Sequence, residues 1–308
     1  MLELNVHPDG PGPKGPVPVR HPPWIKVRLP GGGEYARVRG ILRKNGLHTV
    51  CEEAECPNAG ECWGHGTATF LLMGDVCTRS CRFCAVKGGR PAPLDPDEPA
   101  RVADAIEKLG LSYAVLTSVN RDDLPDGGAD HIARCVEAIA ARLPACGIEA
   151  LVPDFRGDED AVERVARSPL VVFAHNVETV PSLYRQARPG SRYERSLRVL
   201  EAAKERVPER LTKSGLMLGM GEERRELEDV FADLRDHGCD ILTLGQYLRP
   251  SRNELPVARY LPPEEFDEFG RKAREMGFLG VASAPFVRSS HEAGTLLAEA
   301  QGHQVEPS

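Results

Sequence analysis

The sequence predicts an α/β protein whose core is a partial (β/α)6 barrel of the TIM type. From about residue 67 onward, short apolar runs rich in β-branched residues alternate with amphipathic helical stretches, a pattern typical of a parallel sheet. The runs are apolar throughout rather than at every second position, which indicates strands that are covered on both faces. Because six strand–helix units are too few for a closed eight-stranded barrel, we expect the barrel to stay open along one side.

Each element follows from its local sequence. The six predicted strands are 6 to 8 residues long and occupy residues 67–74, 113–119, 148–154, 170–176, 214–220 and 240–246. Apolar residues spaced three and four positions apart predict helices at 100–109, 129–143, 192–206 and 224–237. A further strand or extended segment is expected at 278–286, where the chain leaves the barrel.

Three segments flank the predicted barrel, which takes residues 67–286 of the 308 in the chain. Residues 1–23 contain repeated Pro and Gly and almost no apolar periodicity, which predicts an extended or disordered arm. Residues 24–66 contain three cysteines, and we expect loops and short turns there, with one brief helical turn. Residues 287–308 form a C-terminal tail.

Six of the nine cysteines fall within 34 residues, in two groups of three. The barrel triad, C-x3-C-x2-C, is Cys77, Cys81 and Cys84, and the N-terminal triad, C-x4-C-x5-C, is Cys51, Cys56 and Cys62. A 4Fe–4S cluster has four irons, so three thiolates leave one iron for a different ligand. The two triads therefore predict two 4Fe–4S clusters.

Other uses of these cysteines remain possible at this stage. A zinc site would bring four ligands together, usually as closely spaced pairs. A disulfide framework would need an oxidising compartment, and the sequence has nothing that resembles a signal peptide. The three remaining cysteines stand alone in helical or strand-like sequence and are expected to be small buried apolar groups: Cys135, Cys146 and Cys239.

The barrel triad, read as CTRSCRFC, resembles the motif of radical S-adenosylmethionine (SAM) enzymes. The resemblance implies that the methionine part of SAM chelates the fourth iron and that electron transfer cleaves the sulfonium to a 5′-deoxyadenosyl radical. It also implies that Phe83 lies beside the adenine. The triad begins directly after the first predicted strand, which places it at the C-terminal ends of the strands, where active sites of parallel α/β proteins gather.

The wider sequence resembles lipoyl synthases over roughly residues 24–295. The matching segments include TVCEEAECPNAGECW, GTATFLLMGDVCTRSCRFCAV, LTSVNRDDLPDGGADH, TKSGLMLGMGE, LTLGQYLRPS and VRSS. The resemblance implies insertion of two sulfur atoms at C6 and C8 of an octanoyl chain that is amide-linked to a lysine of a carrier protein. Two SAM molecules are consumed, and the sulfur comes from an auxiliary 4Fe–4S cluster held by the N-terminal and C-terminal extensions.

The same resemblance implies a set of partners. These are octanoylated lipoyl-carrier domains (2-oxoacid dehydrogenase E2 subunits and the glycine cleavage H protein), a ferredoxin or flavodoxin as electron donor, and an iron–sulfur cluster carrier.

The resemblance also supplies the fourth ligand of the auxiliary cluster. Lipoyl synthases have a serine near the C-terminus, in an R-S-S-Y motif, and the corresponding residues here are Arg288, Ser289, Ser290 and His291. Ser290 is the expected ligand and Ser289 the weaker candidate. An oxygen ligand is more easily displaced from this site than a thiolate, which suits a cluster that must be opened.

Polar residues follow most of the predicted strands, where the fold would place the substrates. Among them, Asn176 and Glu178 are expected to contact the methionine or ribose part of SAM. The chain departs from the lipoyl synthase pattern at Ala174, Ala284 and His291. Two alternatives therefore stay open: a diverged radical SAM enzyme that inserts sulfur into another acyl substrate, and a non-catalytic iron–sulfur or zinc-binding scaffold.

Composition agrees with a cytoplasmic enzyme. The formal net charge is −7, from 46 acidic and 39 basic side chains, which argues against a general nucleic-acid-binding protein. No apolar run is long enough to cross a membrane, so we expect no membrane partner.

Overall fold

The computed structural model describes residues 21–26, 31–64 and 68–302. The arm predicted at 1–23 therefore lies almost wholly outside the described residues, as do Thr67 of the first predicted strand and the end of the C-terminal tail, 303–308.

The strands of the described residues form one large sheet and one small ribbon. In chain order they are β1 His48–Thr49, β2 Thr69–Leu72, β3 Val76–Cys77, β4 Lys87–Gly88, β5 Tyr113–Ser118, β6 Gly147–Leu151, β7 Val172–Ala174, β8 Leu211–Leu218, β9 Ile241–Gln246 and β10 Gly280–Ser283. The large sheet has the order β1-β2-β5-β6-β7-β8-β9-β10, and β3 pairs with β4.

The large sheet confirms the predicted fold class. From β2 to β10 every neighbouring pair is parallel, and β1 runs antiparallel to β2 at one edge. All six predicted strands are present, and the segment 278–286 supplies a seventh parallel strand, β10. The edge strands β1 and β10 do not pair with each other, so the barrel is open along one side.

Several strand predictions were wrong in their bounds, and β7 and β8 show the reasons most clearly. β7 has only 3 residues, because the chain turns after Ala174 and reaches a left-handed conformation at Glu178 (φ 69°). β8 starts at Leu211, earlier than predicted, because the polar Lys213 interrupts the apolar pattern. That lysine is nevertheless buried, since its ammonium group pairs with the Glu149 carboxylate at 2.9 Å.

The helices of the described residues are numbered in chain order. They are α1 Gly33–Lys44, α2 Val50–Glu53, α3 Ala59–Gly64, α4 Glu98–Leu109, α5 Ala129–Arg142, α6 Glu159–Ala166, α7 Pro181–Ala187, α8 Tyr193–Arg206, α9 Arg224–Asp236, α10 Pro263–Glu275 and α11 Ala293–Ala300. The four predicted helices are confirmed as α4, α5, α8 and α9. None of the described helices is long and apolar enough to span a membrane.

The expectation of loops and short turns at 24–66 was wrong, because α1 forms a helix of 12 residues there. Only two of its residues, Val38 and Leu42, are buried, so its sequence shows a weak helical pattern. Its Tyr35 ring packs 4.9 Å from the ring of the buried Trp63 in α3. Tertiary packing of this kind stabilises a helix that the sequence pattern alone does not reveal.

The three cysteines outside the triads differ in how deeply they are buried. Cys135 and Cys239 are fully buried, as predicted, whereas Cys146, in the loop before β6, is half-buried and packs against the edge of the core.

The N-terminal end of the barrel is closed in part by polar and in part by apolar contacts. The buried Lys213–Glu149 ion pair lies across β6 and β8, and the Tyr113 hydroxyl donates to the same carboxylate at 3.0 Å. Beside it, Leu296 of α11 packs in one cluster with Val172 and Ile241. The interior below β6 to β9 is therefore filled.

Candidate active site

A cavity of about 880 Å³ lies between the C-terminal ends of the strands, the N-terminal extension and the C-terminal tail. It brings together all of the site residues predicted from the sequence. Its lining includes Cys51, Cys56, Cys62, Cys77, Cys81, Cys84, Phe83, Asn176, Glu178 and Ser290.

The barrel triad begins in a turn that a buried carboxylate holds in place. Met73 and Gly74 both have positive φ, at 68° and 94°, directly after β2. The Met73 amide donates to the Glu98 carboxylate at 3.0 Å, and Glu98 in turn contacts a His131 ring nitrogen at 2.6 Å. The turn fixes where the chain leaves the sheet, and so fixes where Cys77 lies.

Arg79 connects the loop that carries the barrel triad to the segments that follow β5 and β6. Its guanidinium donates two parallel hydrogen bonds to Asp122, at 2.7 and 2.9 Å, and a third to Asp154 at 2.7 Å. Burial opposes the ionisation of Asp154, but the hydrogen bond and the charge of Arg79 outweigh it and hold the Asp154 pKa well below its usual range. The Arg79 amide also donates to the Cys77 sulfur at 3.4 Å, and the Asn120 amide donates to it at 3.3 Å.

The N-terminal triad is held by short helices and by the C-terminal tail. The Cys56 amide donates to the Cys51 carbonyl at 3.1 Å, and the Cys62 amide donates to the Asn58 carbonyl at 2.8 Å. The Asn58 side chain donates to the carbonyl of Phe286 at 2.7 Å, although the two residues are 228 positions apart. This bond joins the N-terminal extension to the residue that directly precedes the C-terminal tail.

The C-terminal tail lies close against the sheet because two strand residues facing it have no side chain. A methyl group at Gly245 of β9 would overlap the Val287 carbonyl, and one at Gly215 of β8 would lie 3.0 Å from the Ser289 hydroxyl. The Ser289 hydroxyl accepts a hydrogen bond from the Asn176 side chain at 2.6 Å. The Ser290 hydroxyl lines the cavity and makes no hydrogen bond within the described part of the chain.

Asn176 and Glu178 offer acceptors to a cationic ligand. The Asn176 side chain also donates to the Glu178 carboxylate at 3.1 Å, while its own buried carbonyl oxygen has no partner among the described residues. Burial raises the Glu178 pKa, although Arg188 and Asn176 oppose the shift. A bound cation would stabilise the ionised carboxylate in this setting.

Arg188 is a site residue that the sequence analysis missed. It lies after α7, away from any strand end, and its buried guanidinium donates to the Asn176 carbonyl at 2.8 Å. Its charge also opposes the rise that burial causes in the Cys81 pKa. No local sequence pattern distinguishes it from the surface arginines of the neighbouring helices.

Not every polar residue beside a predicted strand lines the cavity. Lys213 belongs to the closed floor of the barrel, and the Gln246 amide donates to the backbone carbonyls of Leu218, Tyr247 and Arg259. Of the three departures from the family pattern, His291 lines the cavity, whereas Ala174 and Ala284 do not.

Comparison with known proteins decides the family. The sequence profile of the radical SAM superfamily matches residues 71–234, and that of the N-terminal domain of lipoyl synthase matches residues 13–56. Lipoyl synthase from Methylococcus capsulatus is 58% identical over 278 residues, which cover 90% of this chain and 86% of that protein. The chain belongs to the lipoyl synthase family.

Other comparisons agree with this membership. Lipoyl synthase from Rubrobacter xylanophilus is 55% identical over 272 residues, 88% of this chain and 85% of that protein. Among solved structures, HydG, a maturase of the FeFe-hydrogenase, has a TM-score of 0.55 at 13% identity, over 80% of this chain and 65% of its own. Coproporphyrinogen III oxidase (HemN) from Escherichia coli has a TM-score of 0.51 at 14% identity, over 75% and 57%. These structures show the same fold.

Lipoyl synthases use SAM, a 4Fe–4S cluster that binds it, and an auxiliary 4Fe–4S cluster, and the residues of this cavity fit all three. Each triad supplies three thiols, and none of the cysteines is in a disulfide. Burial raises the pKa of both Cys51 and Cys84 to about 12, so these thiols stay protonated until a metal binds and displaces the proton. Soft thiolate ligands in threes are the donors that iron–sulfur clusters take.

Proposed function

We propose that this chain catalyses the lipoyl synthase reaction on a carrier protein. It inserts two sulfur atoms at C6 and C8 of a protein-bound N6-octanoyl-lysine, using two SAM molecules and sulfide from the auxiliary cluster, and gives protein-bound lipoyl-lysine. The observation that supports this best is that both cysteine triads line one cavity. An enzyme that moves sulfur from one cluster to a carbon activated beside the other needs both within reach of one acyl chain.

The barrel triad would hold the cluster that binds SAM. Cys77, Cys81 and Cys84 supply its thiolates, and Phe83, which lines the same cavity, supplies an aromatic face for the adenine. Asn176 and Glu178 supply acceptors for the ammonium and ribose groups. The hydrogen bonds of Arg79 keep this loop fixed against the strand ends.

The two extensions, residues 24–66 and 287–308, would hold the auxiliary cluster around the barrel domain, residues 67–286. Cys51, Cys56 and Cys62 supply three ligands, and Ser290 supplies an oxygen as the fourth. Asn176 already occupies the Ser289 hydroxyl, whereas the Ser290 hydroxyl is free within the described residues. This difference favours Ser290 as the ligand.

The cofactors, when bound, supply the hydrogen-abstracting radical and the sulfur. The protein chain supplies the walls of the cavity in which the acyl chain would react. The buried side chains of Leu71, Val115 and Val119 give the cavity apolar walls along the strands. An apolar wall both fits an acyl chain and protects a reactive carbon centre from side reactions.

The partners follow from the reaction. Lipoyl-carrier domains are the substrate class, among which we propose the 2-oxoacid dehydrogenase E2 subunits and the glycine cleavage H protein. A ferredoxin or flavodoxin would supply electrons, and an iron–sulfur cluster carrier would rebuild the auxiliary cluster. Six cavity thiols that must stay reduced to bind iron favour the reducing cytoplasm as the location.

The test is product analysis with the anaerobically reconstituted protein, after confirming about eight irons and eight sulfides per chain for two clusters. An octanoylated carrier domain, SAM and a low-potential reductant should give a lipoylated domain, detected by mass spectrometry. A domain carrying a different acyl chain is the matched control. Sulfur insertion into that domain but not into the octanoylated one would mean another substrate, and intact clusters with no SAM cleavage would mean a scaffold.

A further inference from the structure

The active-site cavity reaches a different depth on the two sides of the barrel. Along β6, β8 and β9 its lining comes from the C-terminal parts of the strands, such as Leu151, Met217 and Gly245. Along β2 and β5 the lining extends to the N-terminal ends of the strands, at Thr69 and Tyr113. The cavity therefore crosses the C-terminal edge of the sheet and then descends along one side of the interior.

The descent lies beside the filled part of the barrel floor. Below β6 to β9 the interior is occupied by the Lys213–Glu149 ion pair and by Leu296 of α11. On the β5 side the cavity is lined by Gly110, Leu111 and Ser112, which precede the strand, and by Gly294 of α11, which packs against Tyr113. The cavity therefore reaches the surface segments on this side, the α4–β5 turn and the start of α11.

Solvent exposure indicates on which side the cavity opens. The exposed lining residues are all in the N-terminal extension, the α4–β5 turn or the C-terminal tail: Arg37, Glu55, Glu61, Gly110, Ser112, Glu292 and Thr295. At the C-terminal ends of the strands, by contrast, the described lining residues are buried or half-buried, including Leu248, Arg249 and Pro250. We call the opening framed by Arg37, Gly110, Ser112 and Thr295 the lateral mouth.

We infer that the octanoyl-lysine arm of the carrier enters through the lateral mouth and runs along the inner face of β5. The inference rests on the proposed function, and it names the entry route and the docking surface, which that function leaves open. The carrier domain itself would dock outside, on α1, the α4–β5 turn and the first turn of α11. The reacting carbons would then pass the N-terminal triad on the way to the barrel triad.

The dimensions and chemistry of the route suit a thin acyl arm and exclude a folded domain. From Ser112 to Ser118 the strand rises roughly 20 Å, at about 3.3 Å per residue. Tyr113, Val115 and Thr117 line the cavity along this strand. The hydroxyls of Tyr113 and Thr117 already donate to Glu149 at 3.0 Å and to the Leu151 carbonyl at 3.1 Å. An extended acyl chain, which has no hydrogen-bonding group beyond its amide, suits a wall whose hydroxyls are already engaged.

Tryptophan substitutions at opposite ends of the cavity test the route. Ser112→Trp and Thr295→Trp, both at exposed positions, would narrow the lateral mouth, whereas Ser251→Trp places the same bulk in an exposed loop beside Arg249 and Pro250, at the C-terminal ends of the strands. Each variant is reconstituted anaerobically and checked for iron content. Lipoylation of an octanoylated carrier domain is then measured beside SAM cleavage in the absence of substrate.

The two mouth variants should lower kcat/KM for the carrier domain at least tenfold while SAM cleavage stays within twofold of wild type, and Ser251→Trp should change neither. Slow lipoylation in Ser251→Trp with normal mouth variants would overturn the inference and place entry at the strand ends. Loss of SAM cleavage in the mouth variants would also overturn it, because the mouth would then admit the cofactor. Wild-type protein that makes no lipoyl product would instead contradict the proposed function.

Discussion

The side-chain amide of Asn176 donates a 2.6 Å hydrogen bond to the hydroxyl of Ser289, from the loop after β7 to the C-terminal tail. The same amide donates to the Glu178 carboxylate at 3.1 Å. One side chain thus connects the proposed SAM contacts with the segment that bears the proposed auxiliary-cluster ligand. It also distinguishes the two adjacent serines, because among the described residues the Ser289 hydroxyl has a hydrogen-bond partner and the Ser290 hydroxyl has none.

Ser290→Ala should impair auxiliary-cluster occupancy or sulfur transfer and leave SAM cleavage largely intact, since the barrel triad uses separate ligands. Ser290→Cys should restore cluster binding, because a thiolate is the better soft ligand, yet transfer sulfur poorly. Iron content and lipoyl product are the readouts. Ser289→Ala is the matched control and should be milder; the reverse order of effects would make Ser289 the ligand, and two silent variants would point to His291.

The two triads should have separable roles. Replacing Cys77, Cys81 and Cys84 with Ala should abolish SAM cleavage, because the cluster that delivers the electron is lost. Replacing Cys51, Cys56 and Cys62 should preserve cleavage and eliminate sulfur insertion. Chromatographic analysis of 5′-deoxyadenosine and mass analysis of the carrier domain separate the two outcomes, and lipoyl product from the second variant would disprove the sulfur-source assignment.

The buried ion pair of the barrel floor should be sensitive to the loss of one partner. Lys213→Met leaves the Glu149 carboxylate buried without a counter-charge, which should cost about 3–5 kcal/mol of unfolding free energy. The double variant Lys213→Met/Glu149→Leu should recover most of this loss, because it removes both charges together. Denaturant unfolding compares the three proteins, and a double variant no more stable than the single one would show that the pair itself is needed.

Acid should destabilise the fold partly through His175. Burial, helped by the charge of Arg188, lowers its pKa from 6.5 to about 4. The unfolded chain, with the ordinary pKa, takes up this proton first, so stability is complete above about pH 6.5 and falls as the pH drops toward 4. The full loss from this group is about 3 kcal/mol. Unfolding free energies at pH 7 and pH 4.5 should differ less in His175→Asn than in wild type; an equal difference would exclude His175 as a source.

The sequence predicted those features that depend on local order along the chain. The cysteine spacings, the serine pair at 289–290 and the apolar strand runs were all visible, and the structure brings them to one cavity. Arg188, the buried state of Lys213 and the helix α1 were not predicted, because each depends on a partner far away in the sequence: Asn176, Glu149 and Trp63 respectively. The lateral mouth was invisible for the same reason, since the α4–β5 turn and α11 form it together.

The central claim, that the N-terminal triad holds the sulfur that reaches the substrate, is tested most directly by isotope labelling. The protein is reconstituted with heavy-isotope sulfide, freed of unbound sulfide, and given an octanoylated carrier domain, SAM and reductant, with no cluster carrier present. Mass spectrometry should find both sulfur atoms of each lipoyl group labelled and at most about one lipoyl group per chain, the yield of a single auxiliary cluster. Unlabelled sulfur in the product, or several lipoyl groups per chain without added sulfur, would contradict the account.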